Sequence, residues 1–401
     1  MVAAKKGSSV TTSPPTERRH TGEFLVRRSG GEEVRHYIPR PLPPDPALAL
    51  TPDDLDKLER ANRALGRLDG VAQLLPDPDL FLYFYVRKEA VLSSQIEGTQ
   101  SSLSDLLLFE TERAPGVPIN DVQEVSRYVA AMNLGLARMR EELPLSLRLI
   151  RDIHRQLLDG GRGAEKEPGE FRRSQNWIGG SRPGKAFYVP PPPERLMEFL
   201  DPLEKFIHDD PVKTPTLLKA ALAHVQFESI HPFLDGNGRV GRLLITLIMC
   251  NEGALTQPLL YLSLYFKQNR TRYYDLLQKV RTDGDWESWV RFFLDGVEET
   301  ATQAVDLAAQ IRRLFEEDRE KISKLGRAAG SALRVHDLLQ HRPILSVPTA
   351  TKKLKLSPPT VRASIEALEK AGIVRELSGK RRDRVFGYRR YLDLMGSDTK
   401  T

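Results

Sequence analysis

The chain has 401 residues, a net charge of +6 and a sequence pI near 9.2, enough for two or three domains and in keeping with a polyanionic partner. A single cysteine, Cys250, excludes an internal disulfide and suits a reducing cytosol. No apolar run approaches the ~18 residues that span a membrane, and eight histidines without ligand spacing argue against zinc.

Residues 1–46 are rich in Lys, Arg, Ser, Thr and Pro without apolar periodicity, which predicts a disordered arm. They contain charges but no apolar core of the length a secretory signal needs. Residues 77–96 place Leu80, Phe84 and Val91 as a buried helix would, and Gly98 is a natural stop. Glu97 then falls at the negative end of the helix dipole, so a cation should compensate it. Further on, 176–180 and 186–189 are short β-prone runs around a Gly/Pro turn, which predicts a hairpin containing Trp177, Ile178, Gly179 and Tyr188. Its edge could pair with an extended stretch of another chain. Residues 179–185 nearly spell a P-loop, but Ala186 replaces the hydroxyl that would hold magnesium, and prolines follow where a helix is required.

Residues 216–229 read as a helix, with Leu218, Ala221, Leu222 and Val225 at helical spacing, and 243–250 is an apolar run of the kind a buried helix shows. Between them lies His231-Pro232-Phe233-Leu234-Asp235-Gly236-Asn237-Gly238-Arg239-Val240-Gly241-Arg242. The glycines open the second helix, whose free N–H groups and positive dipole end make an anion site. Arg239 and Arg242 extend that site along one helix face. Gly236, Gly238 and Gly241 also satisfy the dinucleotide-binding spacing, but a helix precedes them where a strand is required. The local design therefore holds a polyphosphate beside a base. His231 is suited to be that base, its ordinary pKa being near ~6.5. Asp235 is the loop carboxylate that Mg²⁺ would use while leaning on substrate phosphates. Pro232 stiffens the turn and Phe233 is an apolar peg.

Past this loop, Tyr273 and Tyr274 stand on a helical stretch, 269–277. Residues 301–330 have the composition of a connecting helix. Residues 331–339, 346–356 and 357–371 then predict three short helices, and 374–388 a hairpin with a basic tip at 379–384. Three helices and a basic hairpin resemble a winged helix-turn-helix spanning 331–395. In that arrangement Pro359, Thr360, Arg362 and Ala363 would face a DNA major groove.

The motif from His231 to Arg242 fills every fixed position of the Fic pattern H-x-F-x-[D/E]-G-N-G-R-x-x-R, so residues 76–297 resemble the Fic family. The resemblance implies a mainly α fold, with an N-terminal helical region over 47–140 and a helical catalytic domain over 141–300 with a small β-hairpin flap; beyond it, general pattern supplies the connecting helix over 301–330 and the winged unit. The resemblance also implies a Mg²⁺-dependent transferase moving AMP from ATP to a Ser, Thr or Tyr hydroxyl of a protein, itself included. ATP would be held by Asp235, Gly236, Asn237, Gly238, Arg239, Val240, Gly241, Arg242, Ile178, Gly179, Tyr273 and Tyr274, with Asn237 and the glycine N–H groups on the α- and β-phosphates. The family's inhibitory motif [S/T]-x-x-x-E-[G/N] is matched by Ser93, Glu97 and Gly98, which sets Glu97 against Arg242. A homo-oligomer in the cytoplasm, with no membrane attachment, is expected. Alternatives are a nucleotide-sensing DNA-binding regulator, another phosphoryl donor, or removal of AMP.

Overall fold

The computed structural model describes residues 21–29, 31–74, 78–111, 119–160, 163–378, 384–396 and 399. Strands β1 (Gly22–Ser29) and β2 (Glu32–Pro39) form an antiparallel hairpin pairing Gly22 with Pro39. Helices α1 (Pro52–Leu74), α2 (Pro78–Ile96), α3 (Leu103–Thr111), α4 (Ile119–Arg140) and α5 (Leu147–Leu158) follow. Next come α6 (Leu196–Ile207), α7 (Thr216–Ile230), α8 (Asn237–Asn251), α9 (Ser263–Gln268), α10 (Arg270–Asp283) and α11 (Trp286–Ser323). The C-terminal unit contains α12 (Ala329–His341), β3 (Ile344–Ser346), α13 (Val347–Leu354), α14 (Pro358–Lys370), β4 (Val374–Glu376), β5 (Val385–Tyr388) and α15 (Arg389–Gly396). The fold is thus mainly helical, and no helix among the described residues is long and apolar enough to cross a membrane.

Helix α7 is buried all round from Leu217 to Ile230, the signature of a central helix rather than a surface one. Its interior includes Lys219, whose Nζ lies 2.9 Å from Asp209 Oδ1 and 3.0 Å from Glu252 Oε1, so the buried charge is neutralised from two directions. Trp289 of α11 covers α7 and donates its indole N–H to the Ala221 carbonyl at 2.9 Å. Asp285 starts α11 by accepting from the Ser288 N–H at 3.1 Å. That helix then runs 38 residues without interruption. The boundary expected at residue 300 therefore falls inside one continuous helix; an apolar stripe through Val297, Ala301, Ala304 and Ala308 carries it across.

The hairpin corrects the expectation of disorder within 1–46; residues 1–20 of that arm lie outside the described residues. Averaged composition hid a local pattern in β2, where Val34 and then the continuous run from His36 to Pro39 are buried. The Tyr37 hydroxyl donates to Thr21 Oγ1 at 2.8 Å, and the Tyr37 N–H donates to the Val189 carbonyl at 2.9 Å. The expected flap hairpin is reduced to a single bridge between Ile178 and Tyr188, because a 3₁₀ turn at Pro183–Lys185 occupies the intervening chain. Tyr188 is buried, whereas Trp177 and Phe187 remain exposed.

In the C-terminal unit the antiparallel sheet has the order β3-β5-β4. Ser346 and Ser357 cap α13 and α14, and Pro358 occupies the first turn of α14. The residues proposed to face DNA are accessible: Pro359, Arg362 and Ala363 are exposed and Thr360 half-buried, while Val361, Ile365 and Leu368 face inward. The basic tip lies outside the described residues at 379–383. The unit is anchored to the rest of the molecule. Tyr388 donates to Asp318 Oδ2 at 2.9 Å, Tyr391 meets Phe84 edge-on at 5.1 Å, and Gln95 Nε2 donates to the Thr399 carbonyl at 2.9 Å.

Candidate active site

Helix α7 stops at Ile230, where His231 takes a left-handed conformation (φ 49°) and its N–H donates to the Phe227 carbonyl. A non-glycine residue at positive φ must be held by its surroundings. Arg172 does this: its Nε donates to the His231 carbonyl at 2.9 Å and its main-chain N–H to that of Pro232. Phe233 is fully buried and stacks on His154, ring centroids 3.7 Å apart and planes within 6°. His154 accepts the Gly169 N–H at Nδ1, so its Nε2, 3.0 Å from the Asp235 carbonyl, is the donor there. Burial pushes His154 down to about 4, which fixes this neutral tautomer.

Asn237 differs from its expected place on the phosphates. Its Oδ1 accepts the Phe233 N–H at 2.9 Å and its Nδ2 donates to the Phe233 carbonyl at 2.8 Å, so the side chain closes the loop. Its backbone, with Gly238, still opens α8 toward the cleft. Gly236 turns the chain there at φ 77°, and the Asp235 carboxylate accepts the Gly236 N–H at 2.6 Å.

A cleft of about 220 Å³ lies over the start of α8. It brings together His231, Asp235, Gly236, Asn237, Gly238, Arg239, Arg242, Ile178, Tyr273, Tyr274 and Glu97. Gly179, Val240 and Gly241 do not line it: Val240 is buried beneath, and Gly241 faces α7, where a Cβ would meet Glu228 and His224. Tyr273 proves to be mostly a core residue, its hydroxyl 2.8 Å from His224 Nε2, while Tyr274 beside it is exposed. Two lining residues, Glu124 and Glu228, had escaped the sequence reading, since each is a lone glutamate inside a helix with no local signature.

The two arginines are buried and paired. Arg242 donates from Nε to Ser93 Oγ at 2.8 Å, and from Nη2 to the Ser93 carbonyl at 3.1 Å and Glu97 Oε1 at 2.7 Å. Arg239 donates from Nη1 to Glu124 Oε1 at 2.7 Å and lies 3.6 Å from Asp235. Gly98, in the left-handed region at φ 101°, ends α2 so that Glu97 projects over α8. A Cβ on Gly238 would collide with the Glu97 carboxylate, so the glycine permits that approach.

Electrostatics follow from this burial. Desolvation would raise Glu97, but the charge and hydrogen bond of Arg242 outweigh it and hold the carboxyl below its usual range. Burial, with Arg281 and Arg172 nearby, presses His231 down to about 3, whereas burial pushes Glu228 up to about 7. The cleft therefore sets a neutral imidazole and a helix N-terminus with two arginines around one space, and a carboxylate stands on the second arginine.

Residues 55–137 match the Fic/DOC family N-terminal model and residues 144–249 the Fic/DOC family model. Both matched segments thus resemble the Fic/DOC family. It is 31% identical over 237 residues to a protein of Drosophila erecta named Protein adenylyltransferase Fic, covering 57% of this chain and 45% of the relative. The protein of that name from Drosophila melanogaster is 29% identical over 280 residues, covering 68% and 52%. The chain thus spans about half the length of the curated relatives it matches. In fold it resembles a Fic family protein from Desulfovibrio desulfuricans (TM-score 0.57, 20% identity, 85% of this chain and 97% of that one). It also resembles Fic-1 of C. elegans, residues 134–508 (TM-score 0.50, 24% identity, 65% and 73%).

Proposed function

We propose that the chain transfers AMP from ATP to a hydroxyl of a protein and that Glu97 restrains the reaction. One observation carries this reading: the Glu97 carboxylate occupies Arg242 at 2.7 Å, at the helix start an anion would use, in the same cleft as His231. The donor fits the names borne by the relatives, and self-modification falls within the same chemistry.

The following roles fit the geometry. His231 takes the proton of the incoming hydroxyl, whose oxygen attacks the α-phosphorus while the bond to pyrophosphate breaks and its electron pair leaves with the bridging oxygen. The N–H groups at Gly236–Gly238 stabilise the charge developing on the phosphates. Arg239 and Arg242 neutralise the outer phosphates with forked donors. While Glu97 holds Arg242, the γ-phosphate cannot take its place. Ile178 and Tyr274 border the cleft and would flank the nucleotide. Asp235 fits Mg²⁺: a single carboxylate, partly exposed at the cleft mouth, suits an ion that takes its other ligands from water and phosphates. Bound there, the ion would supply charge neutralisation on the phosphates.

Mass spectrometry of Glu97→Gly protein incubated with ATP and Mg²⁺ tests the donor. An adenylyl adduct supports the reading; a different phosphoryl adduct replaces ATP as donor.

We infer further that the C-terminal unit is a winged helix-turn-helix presenting α14 to DNA. The exposure of Pro359, Arg362 and Ala363 on one face of a capped helix supports this. Arg362→Ala should weaken duplex binding measured by anisotropy at fixed salt. A pure nucleotide sensor would bind DNA and show no AMP transfer under any condition.

A further inference from the structure

Glu228 has no part in the roles above, yet its carboxylate stands beside the ring of the base. It lies one turn before His231 on α7, is 6% exposed, and holds Oε2 3.8 Å from His231 Nδ1. Glu228 Oε1 and His231 Nδ1 are both buried and neither has a hydrogen-bond partner. Unpaired buried polar atoms are costly; here Oε2 of the same carboxylate faces the unpaired Nδ1, while its Oε1 faces Gly241. A second feature keeps the space open. Gly241 on α8 passes so close that a Cβ there would fall 2.5 Å from Glu228 Oε1. With Nδ1 buried, Nε2 is the nitrogen left for a substrate in the cleft.

We propose that Glu228 is a positioning residue for His231: a small rotation of the ring lets its carboxylate accept the Nδ1–H, which aims Nε2 at the target hydroxyl. This rests on the AMP-transfer reading. The target O–H gives its proton to Nε2, its oxygen bonds to the α-phosphorus, and pyrophosphate leaves with the electron pair. The imidazolium so formed keeps its Nδ1–H on Glu228 and later releases a proton to water. The imidazole needs such a partner. Burial, Arg281 and Arg172 make it a weak base, and an adjacent carboxylate stabilises its cation.

The groups facing Glu228 are Arg242 from α8, Glu97 from the end of α2, Tyr273, Tyr274 and Arg281 from α10, and His224 on its own helix. Arg281 is already engaged, donating to Ser229 Oγ and to the Glu228 main-chain carbonyl. That carbonyl is the competitor for orienting Nδ1, and it carries no charge.

Two readouts separate these cases in the full chain. The first follows the His231 ring by NMR against pH, without turnover, in wild type and Glu228→Gln. If the carboxylate serves Nδ1, the ring in wild type senses a titration near neutrality that is lost in the variant, leaving only the ring's own titration in acid. A titration that persists unchanged in the variant assigns orientation to the main-chain carbonyl and overturns the proposal, whether or not AMP transfer is ever seen. The second compares Glu97→Gly with Glu97→Gly/Glu228→Gln in AMP incorporation. The expected result is a kcat lower by about 10- to 100-fold, no rise in KM for ATP, and an acid limb shifted to lower pH. Glu228→Asp should recover part of both effects. A loss seen only in KM, or with the acid limb unmoved, would show that Glu228 acts merely in nucleotide binding or packing.

Discussion

Arg239 and Arg242 stand three residues apart on α8, but their acidic partners differ in kind. Arg239 meets Glu124, which comes from within α4; both side chains are almost wholly buried, at 4% and 5% exposure. Arg242 meets Glu97, which follows the last residue of α2 and whose side chain is 35% exposed. A carboxylate locked inside a helix and sealed from water behaves as a permanent counterion. One at a helix end, beside a glycine and open to solvent, can leave when a better anion arrives. The same motif thus contains one fixed charge and one exchangeable charge.

The largest effect should come from breaking the fixed pair. Glu124→Ala leaves Arg239 buried with, among the described residues, Asp235 at 3.6 Å as its acidic neighbour, and we expect a loss of about 3–5 kcal/mol in denaturant unfolding, without activation. Activation of that variant to the level of Glu97→Gly would erase the distinction between the two walls. Arg242→Ala comes next. It removes the partner of Glu97 together with a phosphate ligand, so calorimetry should show ATP binding weakened by roughly 10- to 100-fold, and the variant should stay slow.

The smallest effect lies outside the cleft and calibrates it. Asp54, buried on α1, binds Arg291 at 2.6 Å, and the Arg291 hydrogen bond lowers it to about 2. A carboxyl lowered in the folded state adds stability above its unfolded value, lost as pH falls through the folded one. Asp54→Asn should therefore cost about 1–2 kcal/mol at pH 7, discounted because Arg291 is partly exposed, and the gap should close between pH 3.8 and 2 in thermal melts. Glu97 obeys the same sign: its pairing is complete above its ordinary pKa and weakens only in acid below it. The Glu97–Arg242 pair accordingly holds across neutral pH.

How far the sequence could be read depended on whether a residue's task was local. The His231–Arg242 run sets its own loop, so its helix–loop–helix geometry is legible from spacing alone. Glu97 was visible because a glycine stop and a dipole argument left it needing a cation, and the structure supplies Arg242. Asn237 and Tyr273 show the limit: each stands at the cleft, but one side chain turns back to close the loop and the other bonds His224 in the core. Glu124 and Glu228 reach the site only through packing between helices far apart in the chain. Average composition over residues 1–46 hides the β1–β2 hairpin, because the buried part of β2 is only Val34 and the run 36–39.

The central claim is that one cleft performs AMP transfer and that Glu97 restrains it. The most direct test is AMP incorporation from α-labelled ATP with Mg²⁺ by wild type, Glu97→Gly and Glu97→Gly/His231→Ala. A charge-assisted contact worth ~1.5–3 kcal/mol predicts labelling raised roughly 10- to 150-fold in the single variant over wild type. Labelling should then be abolished in the double variant. Equal labelling in wild type and Glu97→Gly, or labelling that survives the loss of His231, would contradict the account.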